Sequence, residues 1–124
     1  MLVSGGYPAM ANGIARHIRI DTSAIQAKLW HEQGIRALAA DRLEDAVRAF
    51  RKAVEFHPRH EAAWNDLGVV MEALGNPVEA MACYKKVLEI QPNHEQARAN
   101  LGMLWFQVQA ATLLSREAYG AGWA

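Results

Sequence analysis

The sequence predicts an all-α protein in which helix-turn-helix pairs stack side by side as a solenoid. Two observations predict this fold class. The chain resembles itself at an offset of 34 residues, the spacing from Trp30 to Trp64, and self-similarity at such a period is typical of repeat architectures. Within each period, apolar residues recur at helical spacing, and Pro and Asn fall near the ends of these segments. The 124 residues suffice for one compact domain.

The first helix pair is predicted to begin near Ala24 and to end at Pro58. The motif Ser-x-x-Gln at residues 23–26 has the form of a capping box, which predicts the start of a helix. The motif Asp-x-x-Glu at residues 41–44 predicts the start of the second helix in the same way. Proline cannot continue a helix, so Pro58 marks the end of the pair.

The second helix pair is predicted to begin near residues 60–61 and to end before Pro92. Its first helix stops at Gly75, a residue type that commonly follows the last turn of a helix. Asn76 then suits the N-cap of the next helix, and Pro77 suits its first position.

The last third of the chain allows two interpretations. Residues 107–112 contain no Gly, Pro, Asn or Asp that would form a turn. Either a short turn occurs near residues 110–112 and a short sixth helix follows, or one helix continues from about Glu95 to Tyr119. The continuous helix, which we favour by a small margin, would leave Leu113 and Leu114 without an intramolecular partner and would invite a neighbouring chain.

Residues 1–22 lie outside the repeats and are predicted to form an irregular or disordered N-terminal arm. Gly5-Gly6, Pro8 and Asn12-Gly13 argue against regular structure in its first half. Residues 23–124 then form the repeat domain. The alternative for the arm is that its isoleucines dock on an apolar surface elsewhere in the chain.

The period and the residue types resemble the tetratricopeptide repeat (TPR), whose pattern is W-x2-L-G-x2-Y, then A-x3-F, then P. Residues 27–60 and 61–94 match the pattern well, although Gln33 and Ala37 depart from it, and residues 95–124 match as a degenerate third repeat with Arg98 at the Trp position. The positions expected to pack the repeats are Trp30, Gly34, Ala46, Phe50, Pro58, Trp64, Leu67, Gly68, Ala80, Tyr84, Pro92, Leu101, Gly102 and Trp105.

Two glycines fall inside predicted helices, where Gly costs about 1 kcal/mol relative to Ala. We expect Gly34 and Gly68 to lie where the two helices of a repeat approach closely, facing Ala46 and Ala80.

The resemblance implies that the first helix of each repeat lines a concave groove. An apolar stripe with a polar rim suits an amphipathic helix or an extended apolar peptide. Only Lys28 and Asn65 resemble the residues with which some TPR domains bind acidic chain ends, so such a site is not predicted here. The arm, the third-repeat helix or a second subunit are alternative occupants. The predicted groove residues are Lys28, His31, Ile35, Leu38, Asn65, Val69, Glu72, Met103 and Phe106.

Charge and motif content favour a binding role over catalysis. Thirteen basic and thirteen acidic residues cancel, so no surface for nucleic acid or an anionic membrane is predicted. No catalytic motif, cofactor loop or metal-ligand spacing appears, and His57 and His60 alone do not make a metal site. The single cysteine, Cys83, is expected to be a small buried residue. No secretory signal or membrane span is visible, which predicts a cytoplasmic protein.

The sequence therefore predicts a non-enzymatic interaction module, an adaptor or assembly factor for a protein or peptide partner. The second hypothesis is a self-assembling scaffold, a homodimer or larger oligomer that uses the groove or the third-repeat helix. The third is a small TPR chaperone that shields apolar segments of other proteins.

Overall fold

The computed structural model describes residues 20–121, with side chains for residues 20–117. Within this part the chain forms five α-helices and no strand, which confirms the predicted all-α solenoid. The predicted N-terminal arm lies almost wholly outside the described residues. The helices are α1 (Ser23–Ala39), α2 (Leu43–Phe56), α3 (Glu61–Ala73), α4 (Pro77–Ile90) and α5 (Glu95–Ala121).

The helices pack mainly on their neighbours in the chain. The closest contacts are between α1 and α2 and between α3 and α4, so these are the two helix pairs. The pairs are joined where α2 packs on α3, and α5 then packs on α4. This nearest-neighbour arrangement is typical of helical repeat solenoids.

One aromatic ring lies at the centre of each helix pair. Phe50 on α2 and Tyr84 on α4 are fully buried, and they occupy the same position in successive repeats. Leu67, Val70 and Met71 of α3 lie in the same buried cluster and connect the two pairs. Burial of each such side chain stabilises the fold by about 1.5–3 kcal/mol.

The two mid-helix glycines permit the close approach of these rings. A Cβ added at Gly34 would lie under 3.0 Å from the ring of Phe50, and one added at Gly68 would meet the ring of Tyr84 in the same way. The predicted close approach of the two helices at each glycine is confirmed, and the atoms nearest to it belong to the rings of Phe50 and Tyr84. In the sequence these rings stand four residues after Ala46 and Ala80.

The predicted starts of the first two helices are confirmed, since α1 begins at Ser23 and α2 at Leu43, but the side-chain cap expected at residues 23–26 is absent. Thr22 precedes α1 and Arg42 precedes α2, and neither caps its helix with a side chain. Asp41 instead adopts a left-handed conformation with φ of 58°. Asp tolerates this conformation better than most residues, and the tight turn after α1 requires it. Gly75, with φ of 75°, makes the corresponding turn after α3.

The predicted start of the second pair is confirmed. The Nδ1 atom of His60 accepts a hydrogen bond of 3.2 Å from the backbone N–H of Ala63. Asn76 caps α4 through a bond of 3.4 Å from the backbone N–H of Glu79, with Pro77 at the first helical position. Side-chain acceptors at an N-cap satisfy backbone donors that have no partner within the helix.

The last helix is continuous, as in the favoured interpretation. Ala97 and Leu104 of α5 are buried, and Leu101 is half-buried against the core. The structure differs from the expected packing at Gly102, which has nothing within 4 Å of an added Cβ, and at Trp105, which is exposed. No second helix of a third repeat follows α5 in the described part of the chain, so these positions have no ring or helix to pack against.

Candidate functional site

The predicted groove residues lie on α1, α3 and α5, the first helices of the repeats, and we call this face the first-helix surface. Three of its apolar side chains are exposed: Ile35 is 45% exposed, Met103 60% and Phe106 68%. Leu38 and Val69 are half-buried and pack against the core. An exposed apolar stripe along adjacent helices is a feature of protein-binding surfaces.

Two polar bridges join successive first helices. The Nε2 atom of His31 on α1 lies 2.7 Å from the Oδ2 atom of Asp66 on α3. Asn100 on α5 donates a hydrogen bond of 3.2 Å to the Oδ1 atom of Asn65 on α3. Asn65 lies one repeat length after His31, and Asn100 lies one repeat length after Asp66. The two bridges therefore join equivalent positions in successive repeats. We call these two pairs the polar ladder.

The polar ladder changes the role of two predicted groove residues. Asn65 is only 2% exposed, and its amide oxygen already accepts a bond from Asn100. A buried polar group left without a partner costs about 1–3 kcal/mol. Asn65 therefore holds neighbouring repeats in register, and the half-buried His31 does the same through Asp66.

Sequence reasoning missed Asp66 and Asn100, the partners in the ladder. A signal was present in the printed sequence, because each lies one residue beyond the repeat length from His31 or Asn65. The self-alignment compared equivalent positions only. Contacts between successive repeats join positions that are offset from one another, so they do not appear in such an alignment.

Glu72, a third polar residue of the predicted rim, also has a partner inside the fold. The hydroxyl of Tyr84 donates a hydrogen bond to its Oε2 atom. Burial, followed by this bond to a carboxylate, raises the pKa of the Tyr84 phenol. The polar residues predicted for the rim of the groove are Lys28, His31, Asn65 and Glu72. Only Lys28 is exposed without a described partner, so the first-helix surface is more apolar than predicted.

Three histidines meet where the first repeat joins the second. The ring centroid of His60 lies 4.8 Å from that of His31 and 5.7 Å from that of His57. Burial and the positive charges of the two neighbours lower the pKa of His60. Within the described residues no group of three or more His, Cys, Asp or Glu side chains has the arrangement of a metal site. The rings serve the junction between repeats, with His60 as the N-cap of α3.

Cys83 lies in the core of the second repeat. Its side chain is buried, and burial together with Glu79 raises the pKa of the thiol to about 11. A thiolate is the reactive form of cysteine. At neutral pH the folded protein therefore holds Cys83 as an unreactive thiol.

Among residues 20–121, no helix is both long enough and apolar enough to cross a bilayer. The longest, α5, carries charged residues near both ends.

Comparison with solved structures shows the fold. A crystal structure of MamA is 21% identical and superposes with a TM-score of 0.67 over 70% of this chain and 50% of that chain. A second MamA structure gives 22% identity and a TM-score of 0.63, covering 67% of this chain and 45% of the other. The present chain thus spans about half the length of the MamA structures.

A complex of the TPR2B domain of yeast Sti1 with pHsp70 has 19% identity and a TM-score of 0.66, with 69% of each chain covered. No curated protein sequence matches the chain significantly. The sequence profile of the tetratricopeptide repeat matches residues 31–95, just over half of the chain. The resemblance inferred from the repeat pattern is thereby confirmed, and the chain belongs to the tetratricopeptide repeat family.

Proposed function

We propose that this protein is a non-enzymatic interaction module that binds an apolar peptide or amphipathic helix of a partner protein along the first-helix surface. The TPR fold generally mediates protein–protein interaction, and the TPR2B structure of yeast Sti1 is a complex with pHsp70. Identity to that structure is low, so the ligand in it does not transfer to this chain. A cytoplasmic adaptor or assembly role remains a prediction from the sequence.

The observation that supports this proposal is the exposure of Ile35, Met103 and Phe106 on a surface where three of the four predicted polar residues are bonded internally. An incoming apolar ligand would not have to desolvate Asn65, which is already buried. Its affinity would come from removing apolar area from water, at about 25 cal/mol per Å² before the costs of association. Methionine also adapts to ligands of different shape.

The test uses peptides selected against the full chain from an unbiased displayed library. The affinity of the best peptide is then measured by fluorescence anisotropy with Met103→Glu and Phe106→Glu. Both side chains are exposed, so circular dichroism should show unchanged helicity. We expect each substitution to weaken binding at least about tenfold, because a central apolar contact is typically worth more than 1 kcal/mol.

Val78→Glu is the matched control, since Val78 is an apolar residue on α4 that is 77% exposed outside the first-helix surface. Its affinity should equal that of the unsubstituted chain. Equal affinity in Met103→Glu and Phe106→Glu would contradict the proposal. A shortened chain that begins at Ile20 tests the alternative that the N-terminal arm covers the surface, in which case the shortened chain binds more tightly.

Self-assembly is a second candidate function, favoured by the second half of α5. Leu113 is 57% exposed and Leu114 66% exposed on a helix that has no partner along this stretch among the described residues. Contiguous exposed apolar residues on one helix favour association with another chain. The molar mass in solution distinguishes this scaffold from a monomeric adaptor.

A further inference from the structure

We infer a second binding site on the outer face of the first helix pair, built to hold an acidic amphipathic helix of a partner protein. The site is a groove of about 670 Å³ between α1 and α2. It lies on the face of α2 that carries Asp45, Arg48 and Lys52. Given 100° of rotation per residue, this face is opposite the one that packs toward α3, so the site is separate from the first-helix surface and its proposed ligand.

The groove has an apolar floor and basic walls. Ala37 and Ala49 are the buried side chains that line it, and the half-buried ring of Trp30 lies beside them. Small side chains at the base of a groove allow another backbone to approach closely. The cationic side chains Arg36, Arg42, Arg48, Arg51 and Lys52 surround this floor, against two carboxylates, Asp45 and Glu55.

The cations of the groove are accessible to a ligand. Arg36 forms no ion pair or side-chain hydrogen bond within the described residues and is exposed. Arg48 pairs with Asp45, Lys52 pairs with Glu55 at 3.3 Å, and Arg51 pairs with Glu79 of α4, in each case on the protein surface. Exposed pairs of this kind contribute little to stability. Carboxylates on a ligand could therefore replace these local partners at little cost, and Arg36 offers a charge that is already free.

Shape and charge together identify the occupant. A groove between two antiparallel helices is complementary to a third helix, which is how successive elements of this solenoid pack. The floor fits a stripe of small apolar residues. With Arg51 neutralised by Glu79 of α4, two cations remain in excess of the carboxylates, and they fit Asp and Glu on both sides of that stripe. With only one half-buried aromatic ring, the groove lacks the stacking surfaces with which proteins bind single-stranded nucleic acid.

The chain itself does not supply a matching segment. Residues 1–19 contain Arg16 and Arg19 and no Asp or Glu, so their charge is the same as that of the groove. The most acidic helix, α3, has two of its carboxylates engaged, Asp66 by His31 and Glu72 by Tyr84. A separate acidic partner satisfies the charge of the groove, whereas the arm or a second copy does not.

The test compares two labelled helical peptides that share one stripe of Ala and Leu and carry either Glu or Lys at the flanking positions. Anisotropy with the full chain should show binding of the Glu peptide only, weakened by added salt. Arg36→Glu combined with Arg48→Glu should weaken it at least about tenfold, while Arg36→Lys combined with Arg48→Lys should retain most of the affinity. Both arginines are exposed, so the fold is expected to be kept, and circular dichroism verifies this.

Lys85→Glu combined with Lys86→Glu is the matched control on α4. It changes the net charge by the same amount as the double Arg→Glu variant. As in that variant, one of the two reversed cations has an ion pair, here Lys86 with Glu89 at 3.5 Å. This variant and Met103→Glu should bind the Glu peptide as the unsubstituted chain does. The site would be refuted by equal binding of the Lys peptide, by an equal loss in the α4 variant or in Met103→Glu, or by an oligouridylate that displaces the peptide.

Discussion

At the scale of single residues, Gly34 and Gly102 occupy the same repeat position in different surroundings. An added Cβ at Gly34 meets the buried ring of Phe50, whereas one at Gly102 meets nothing within 4 Å. We expect Gly34→Ala to lower the free energy of unfolding by about 1–3 kcal/mol, because a fully packed ring must move. Gly102→Ala should raise it by about 0.5–1 kcal/mol, because Ala orders more readily in a helix.

Urea unfolding followed by circular dichroism measures both changes. Gly68→Ala serves as the internal check on the first, since the ring of Tyr84 fills the same space in the second repeat. If Gly34→Ala were stabilising, the ring would be free to shift, and helix propensity rather than close packing would control this position.

The residue scale also shows which features the sequence could predict. Phe50 and Tyr84 were placed in the core because the repeat pattern marks them. Asn65 was assigned to a binding surface by its helical position alone, and the side chain of Asn100 that bonds to it lies 35 residues further along the chain. Helical spacing indicates the face on which a residue lies, but it does not indicate which neighbour contacts that face.

At the scale of helices, the ends were predictable where a single residue type determines them. Asn76-Pro77 begins α4, and α2 ends before Pro58. Asp41 was misassigned because Asp suits both an N-cap and a left-handed turn. Asp41 aligns with Gly75 at the repeat offset, and both residues have a positive φ. This alignment indicates the turn rather than the N-cap. Comparing turn positions between repeats would have corrected the prediction without a structure.

The second half of α5 gives the prediction at this scale. Because Leu113 and Leu114 are exposed on the second half of α5, we expect the unsubstituted chain to form dimers or larger assemblies at micromolar concentrations. Leu113→Glu combined with Leu114→Glu should give a monomer of 13.7 kDa by light scattering on a sizing column. Helicity should be unchanged, because neither side chain contributes to the core.

Val78→Glu again serves as the control, since it adds a charge at another exposed apolar position and should leave the mass unchanged. A monomeric unsubstituted chain at every concentration would exclude self-assembly through α5. The first-helix surface would then be available to other proteins, which favours the adaptor.

At the scale of the whole molecule, the solenoid depends on the junctions between its repeats. The first junction combines packing of Phe50, Leu67 and Val70 with the polar bridge from His31 to Asp66. The second has the equivalent bridge from Asn100 to Asn65. Because each repeat packs only on its neighbours in the array, a change at one junction affects the stability of the entire array.

The first junction makes the stability of the molecule depend on pH. Burial, together with the charges of His31 and His57, lowers the pKa of His60 in the folded protein below its ordinary value of 6.5. Between that value and the lower folded pKa, the unfolded chain binds more protons at this residue than the folded chain does. The contribution of His60 to stability is therefore complete above pH 6.5 and is lost as the pH falls through the folded pKa.

His60→Asn tests this dependence, since Asn retains an N-cap acceptor and does not titrate. The urea midpoint of the unsubstituted chain should fall as the pH is lowered from 7 towards 5, and the fall should be smaller in His60→Asn. His94→Asn is the matched control, because His94 caps α5 through an equivalent bond of 3.1 Å from Ala97 but lies outside the histidine cluster. An equal reduction in both variants would assign the effect to capping in general, whereas a reduction specific to His60 assigns it to the crowded imidazoles between the first two repeats.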